Sequence, residues 1–260
     1  MIYSYYPGCT LKDRARQLDL YARASAAALG LELKELTQWQ CCGAVYPAAS
    51  DDIASRLSAV RALMNTEEKK LVTMCSACHH VLKRTNFDWK QDAAFRTRAT
   101  NYLQPEVPYD GSVEVVHFLE LIRDEIGFDE LKKKVVNPLT GRKIGAFYGC
   151  LLLRPGKALS FDDPENPTIM ENFIRALGAE PVSYPYRNEC CGAYVAMEDQ
   201  KSAQTQVERA LNSAVAAGCE ELITACPLCM YNLVENATVH RLPVKYFTEL
   251  LAEALGVKEA

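Results

Sequence analysis

Five cysteines recur in one order in each half of this 260-residue chain: a lone Cys, then Cys-Cys-Gly, then Cys-x-x-Cys. The first set is Cys9, Cys41, Cys42, Cys75 and Cys78; the second is Cys150, Cys190, Cys191, Cys226 and Cys229, so ten of the eleven cysteines belong to the pattern. A CxxC alone is compatible with a redox dithiol or with half a zinc site. Five thiols repeated in order imply two equivalent soft-metal sites, and therefore two copies of whatever fold places them.

Composition narrows the setting. With 49% hydrophobic and 24% charged residues the chain holds apolar material for one large or two small cores, and the duplication favours two. A formal net charge of −4 with scattered Lys and Arg leaves no electrostatic footprint for nucleic acid. The opening MIYSYYPGCT lacks the basic stretch and apolar core of a signal peptide, and no run approaches the ~20 apolar residues of a membrane helix. The expectation is a cytoplasmic chain with no membrane span. Thiols are kept reduced there, which argues for ligation or catalysis over a disulfide framework.

The repeat extends beyond the cysteines. IYSYYPGC (2–9) and GAFYGC (145–150) read as buried strands ending on the lone cysteine. Helical spacing follows over 13–29 and 166–177, and segments 31–44 and 180–193 are expected to bring a short strand to each double cysteine. Helices over 52–64 and 202–217 precede the β-branched runs KKLVTMC and EELITAC, which deliver the CxxC pairs just ahead of a further helix. HFLELIRDEIG (117–127) matches YFTELLAEALG (246–256), so the halves end alike. The first half carries an insertion, NFDWKQDAAFRTRATNYL, expected to be a local helix or lid. Alternating strands and helices predict an α/β chain of two duplicated domains, each a small mainly parallel sheet flanked by helices, related by pseudo-two-fold symmetry. Charge and turn residues in DELKKKVVNPLTGRK put the linker at 129–142, between domains 1–128 and 143–260.

Thiolate is the preferred ligand of iron-sulfur clusters, and a four-iron cubane uses four where each repeat offers five. Adjacent cysteines suit neighbouring irons or a bridging sulfur better than the corners of one tetrahedral zinc. An unusual iron-sulfur cluster per repeat is the sharper inference, with two structural zinc sites the alternative. No GxGxxG or P-loop is present, so no flavin or nucleotide is expected in this chain.

The motifs Cys9…Cys41-Cys42-Gly43…Cys75-x-x-Cys78 and Cys150…Cys190-Cys191-Gly192…Cys226-x-x-Cys229 resemble the two CCG domains of the heterodisulfide reductase subunit that carries them in tandem, over nearly the whole chain. The resemblance implies two noncubane [4Fe-4S] clusters held on all ten cysteines and facing one another across a disulfide-binding cleft. Two one-electron carriers, one beside each sulfur, match the two electrons needed to split an S–S bond. It also implies partners: a ferredoxin-type iron-sulfur protein that feeds electrons to this chain, and a flavin-bearing iron-sulfur protein that supplies them. An electron-relay subunit similar to the lactate and glycolate oxidase iron-sulfur proteins is the competing class, although those usually carry an incomplete first motif. The spacing of 32 and 34 residues between CCG and CxxC is slightly short for the family, which leaves the substrate open.

Other residues are weaker candidates. His79 and His80 follow the first CxxC and have the chemistry of general acids toward a nascent thiolate; Met230 and Tyr231 stand in their places in the second repeat. His117 and His240 read as structural, and Cys219, without a counterpart, as a small core residue. Tyr5, Tyr6, Pro7 and Tyr148 are expected to shield the sites, Gly8 and Gly149 to permit close backbone approach, and Arg14 and Arg154 to be surface residues able to meet an anionic substrate.

Overall fold

The computed structural model describes residues 1–44 and 51–257; the last three residues of the second expected domain lie outside them. The first repeat runs β1 (Ile2–Tyr6), α1 (Cys9–Lys12), α2 (Arg16–Ala28), β2 (Glu32–Glu35), α3 (Leu57–Met64), β3 (Lys70–Thr73), α4 (Ser76–Gln91), α5 (Ala93–Leu103), β4 (Glu114–His117) and α6 (Phe118–Leu121). A π-helical turn, Ile122–Ile126, and α7 (Phe128–Lys134) lead to the second repeat. That repeat runs β5 (Lys143–Phe147), α8 (Gly156–Leu159), α9 (Ile169–Ala176), β6 (Glu180–Val182), α10 (Gln200–Ala216), β7 (Glu221–Thr224), α11 (Pro227–Glu235), β8 (Val244–Tyr246) and α12 (Phe247–Leu255).

Each repeat forms its own four-stranded sheet, in orders β2-β1-β3-β4 and β6-β5-β7-β8. Every pairing is parallel, with Tyr5 opposite Val72 in the first sheet and Ala146 opposite Ile223 in the second. The expected duplicated α/β architecture is therefore the observed one. Central strands buried on both faces read as continuous apolar runs, as in Leu71-Val72 and Leu222-Ile223. In such an order the first strand leaves neighbours on both sides, and the carboxyl ends of β1/β3 and β5/β7 form the crevice where open parallel sheets bind ligands.

A shared core joins the two sheets, and the second repeat keeps a further core of its own. Helix α2 of the first repeat packs on α12 of the second, while α9, its counterpart, packs on α6. The exchange is reciprocal, as two-fold symmetry requires. Phe247 sits at its centre, with ring centroids 6.3 Å from Phe118, 6.2 Å from Phe173 and 5.4 Å from His117. Both terminal helices start on the same device: the Glu120 carboxylate accepts from the His117 N–H and that of Glu249 from the Tyr246 N–H, each at 2.7 Å.

Two local expectations change, and that of a helical insertion is met. Strands β2 and β6 stop at Glu35 and Val182, so each double cysteine lies on a loop several residues beyond its strand. The stretch read as linker carries α7, whose buried Leu131 belongs to the common core. The insertion is helical: it lengthens α4 and supplies α5, which begins on Asp92 as its N-cap. No helix among the described residues is long and apolar enough to cross a membrane.

Candidate functional site

The two crevices hold the cysteines. Cys9 follows β1 and Cys75 follows β3; Cys150 follows β5 and Cys226 follows β7. The CxxC pairs do not precede their helices but open them. Cys75 and Cys226 are the N-caps of α4 and α11, and Cys78 and Cys229 lie in the first turn. His79 N–H and Met230 N–H close the first helical bonds onto Cys75 O (2.8 Å) and Cys226 O (2.9 Å). Thiols at a helix start sit where the peptide dipoles favour negative charge.

The double-cysteine loops are pinned from outside. Tyr6 Oη donates to Gln40 O at 2.5 Å in the first repeat, and Asn232 Nδ2 to Cys191 O at 2.7 Å in the second. Gly43 and Gly192 turn the chain just after each pair, with φ of +82° and +86°. The lone-cysteine loops come in closely. A Cβ at Gly8 would lie 2.7 Å from Cys78 Sγ, and one at Gly149 3.2 Å from Cys229 Sγ. Glycine at these equivalent points lets the backbone carrying the lone cysteine come close to the CxxC, most tightly at Gly8.

The thiols form one row. Cys9 lies 3.4 Å from Cys41, Cys42 3.4 Å from Cys78, and Cys191 3.4 Å from Cys229. Cys41 and Cys42 also interact, as do Cys78 and Cys75, Cys229 and Cys226, Cys191 and Cys190, and Cys190 and Cys150. Cys75 and Cys226 stand near enough across the repeat boundary for each to shift the other's acidity, Cys75 upward and Cys226 downward. Sharing S–H protons splits neighbours in acidity. Cys42 is lowered by Cys41 and Cys78, Cys190 by Cys150 and Cys191, and Cys226 by Cys229 and Cys75. Thiol neighbours and burial raise the thiols at Cys75, Cys78 and Cys229.

This donor set fits a soft-metal cluster. All five thiols of the second repeat line a single cavity, walled by Tyr148, Leu151, Ala193, Tyr194 and Leu228, with Ser76 reaching in from the first repeat. Apolar walls and glycine cradles are what a buried, charged cluster needs to come close to the chain. Among the described residues no three His, Cys, Asp or Glu side chains are arranged to hold a single metal ion; the thiols meet as contacting pairs along the row instead.

Carbonyls beside the CxxC pairs tie the sites together. Ala225 O accepts from Ser76 N (2.9 Å), Ser76 Oγ (2.8 Å) and Tyr246 Oη (3.1 Å). Met74 O accepts from Tyr246 Oη (2.6 Å) and pairs with His117 Nε2 at 2.8 Å. Ser76, Tyr194 and Tyr246 are not legible in the sequence as site residues, because a lone hydroxyl in a strand or loop carries no pattern. Only the alignment of Tyr246 with His117 hints at a shared role.

The weaker candidates separate. Successive residues on a helix point about 100° apart. With Cys78 turned to the site, His79 is turned into the core, wholly buried against His117 and Phe161, with Nδ1 3.2 Å from Thr73 Oγ1 and Nε2 3.5 Å from Glu120. Burial pushes its pKa well down, so near neutral pH it is held neutral and lacks the extra proton a general acid would give. His80 lies across the repeat boundary, its Nδ1 3.1 Å from Leu151 O beside Cys150. Arg154 is spent on Asn188 O and Pro164 O, at 2.8 and 3.3 Å, and Arg14 is exposed. Tyr6 and Tyr148 stand beside the thiols, whereas Tyr5 turns away to Asp19 at 2.5 Å. His240 sits 3.6 Å from Glu208, away from the cysteines. Cys219 packs in the second core against Tyr184, its sulfur 2.7 Å from where a Gly145 Cβ would be.

The family model of the CCG cysteine-rich domain matches residues 3–83 and again 144–234. The chain belongs to the CCG cysteine-rich domain family. Its relatives include the 8-methylmenaquinol:fumarate reductase membrane anchor subunit of Wolinella succinogenes, 32% identical over 98% of this chain and 92% of that protein. One subunit of the ferredoxin:CoB-CoM heterodisulfide reductase of Methanosarcina mazei is 27% identical over 97% of this CCG protein and 89% of its own length. A protein of Archaeoglobus profundus, named as similar to the same heterodisulfide reductase subunit, is 25% identical over 98% and 90%. A hypothetical protein from Helicobacter pylori has the same fold, with a TM-score of 0.76 at 10% identity; the CCG chain is covered to 99% and spans about half, 49%, of that structure.

Proposed function

We propose that this CCG protein is the disulfide-handling subunit of a heterodisulfide reductase-like complex. Cys9, Cys41, Cys42, Cys75 and Cys78 hold one noncubane [4Fe-4S] cluster, and Cys150, Cys190, Cys191, Cys226 and Cys229 a second. The repeats take residues 1–128 and 143–260, and the assembly works in the cytoplasm. Electrons arrive from a ferredoxin-type iron-sulfur subunit, itself served by a flavin-bearing one. The observation that carries the reading is the gathering of five thiols at the carboxyl ends of each sheet, those of the second repeat around one cavity into which Ser76 of the first repeat reaches. Relatives named as heterodisulfide reductase subunits support the substrate class.

When bound, the clusters supply one electron each to the reaction R–S–S–R′ + 2 e⁻ + 2 H⁺ → RSH + R′SH. The chain's residues do the rest. The cysteines act as ligands and not as nucleophiles. Tyr148, Leu151 and Leu228 keep water from the second site, and the Ser76 and Tyr246 hydroxyls fix the carbonyls that precede Cys226 and Cys75.

The test is metal and sulfide content of protein purified without oxygen, followed by reduction of the clusters, removal of excess reductant and addition of a disulfide. About eight irons with matching sulfide per chain are expected, two four-iron clusters' worth, together with a spectral change on disulfide addition. About two zincs without sulfide would support a structural role instead. A second reading, an electron relay in a quinol:fumarate reductase-like assembly, is favoured by the relative of that name at 32% identity. Clusters that cycle with an electron donor yet ignore every disulfide would select it.

A further inference from the structure

We propose that Tyr194 gates the space between the two thiol sets and selects which substrates reach them. The inference rests on the reading of the two crevices as cluster sites. Tyr194 follows the second double cysteine by three residues, and its ring walls the cavity that all five thiols of its own repeat line. Its hydroxyl donates to the carbonyl of Ala44, which follows Cys41-Cys42-Gly43 in the other repeat. One side chain thus runs from one double-cysteine loop to the other. Its outer side, 37% exposed, faces solvent.

The other polar ties between the repeats here are anchored in regular structure: Ser76 and His80 on α4, Tyr246 at the end of β8. Tyr194 stands on a loop whose hydrogen bonds are internal. Val195 N–H returns to Gly192 O, and Glu198 and Asp199 N–H to Val195 O, before Asp199 caps α10. Gly192, at φ +86°, marks where this loop leaves the double cysteine. Swinging Tyr194 outward therefore breaks one hydrogen bond and disturbs no helix or strand. A disulfide reaching both sets sends a chain out of the crevice from each sulfur, across the line from Tyr194 to Ala44. The phenol has to yield to it, and a bulky substrate needs more room than a small one. The residue in the same sequence place after Gly43 and Ala44 is Val45, which has no hydroxyl.

The test compares the full-length, cluster-loaded wild type with Tyr194→Phe and Tyr194→Ala. Each protein is reduced with dithionite and freed of excess reductant. Two disulfides, bis(2-hydroxyethyl) disulfide and glutathione disulfide, are then mixed with it, and the rate at which the cluster spectrum returns to the oxidised form is read. Stripping of iron by 2,2′-bipyridine and by the bulkier bathophenanthroline disulfonate gives a measure of access independent of disulfide chemistry. Loss of a gating hydrogen bond and ring predicts that Tyr194→Ala speeds the two bulky probes about tenfold and the two small ones about twofold or less, with Tyr194→Phe between. Equal rates for all three proteins, or an equal change for large and small probes, would overturn the gate. Should Tyr194→Ala lose its iron, Tyr194→Phe decides by the same ratio. Wild type without iron sinks the cluster reading and the gate together. Wild type with iron that ignores disulfides yet shows the size-selective chelator effect sinks only the assigned reaction.

Discussion

A methyl group at position 8 would lie 2.7 Å from the Cys78 sulfur, inside any real carbon–sulfur contact, on a backbone already at φ +79°. At position 149 the same methyl would lie 3.2 Å from Cys229, a clash that a small shift relieves. Gly8→Ala is therefore expected to strip the first site of iron while the second keeps its own, and Gly149→Ala to retain both; iron content with the spectrum of the remaining cluster reads the difference. The backbone strain alone costs about 1–2 kcal/mol in either variant. At this scale the sequence is most legible where chemistry repeats. Ten cysteines and their glycines announce themselves by order and spacing. Tyr194 and Ser76 do not, because each gets its place from a partner in the other repeat, about 150 residues away in both cases. His79 misleads for the opposite reason: it lies next to a ligand in sequence and a third of a helical turn away in space.

The elements are legible from periodicity, less so their ends. Strands β3 and β7 and the helices opened by the CxxC pairs fall where apolar runs and spacing put them, but β2 and β6 are shorter than their apolar surroundings suggest. The loops beyond them are held by Tyr6, Asn65 and Asn232 side chains instead of sheet bonds, and no period records such support. One end has a measurable signature. His117 caps α6, its Nε2 pairs with Met74 O, and burial holds it neutral with its pKa lowered to about 3. Lys83 adds to that lowering, and His79 is its buried neighbour. As pH falls below the ordinary value of 6.5, the unfolded chain takes up a proton at His117 that the folded chain refuses. Stability is then lost on acidification, by about 1.4 kcal/mol per pH unit from this group until the folded value is reached. His117→Gln is expected to flatten the pH dependence of urea unfolding below about pH 6 by that slope and to leave it unchanged above pH ~7.5. An identical slope in both proteins would show that another group is responsible.

Taken whole, the molecule is two sheets that share a core, and this the repeat does not reveal. Duplication reads as two domains joined by a linker, yet α7 in that linker is packed into the core and each repeat lends a helix to the other. The two halves should therefore unfold together. Phe247→Ala removes a ring that touches both repeats and is expected to cost about 3–5 kcal/mol while preserving a single calorimetric transition. Two separate transitions, only one of them shifted, would mean the repeats are independent. Ser76 gives both its N–H and its hydroxyl to Ala225 O, while its opposite number, Pro227, has neither group to return to Met74 O. Two identical chains assembled about an axis cannot differ in this way, since a change in one is a change in both. A serine facing a proline across the axis is available only to a polypeptide that carries both copies in tandem. Joining the copies thus frees each half to specialise, one giving hydrogen bonds across the seam and the other receiving them.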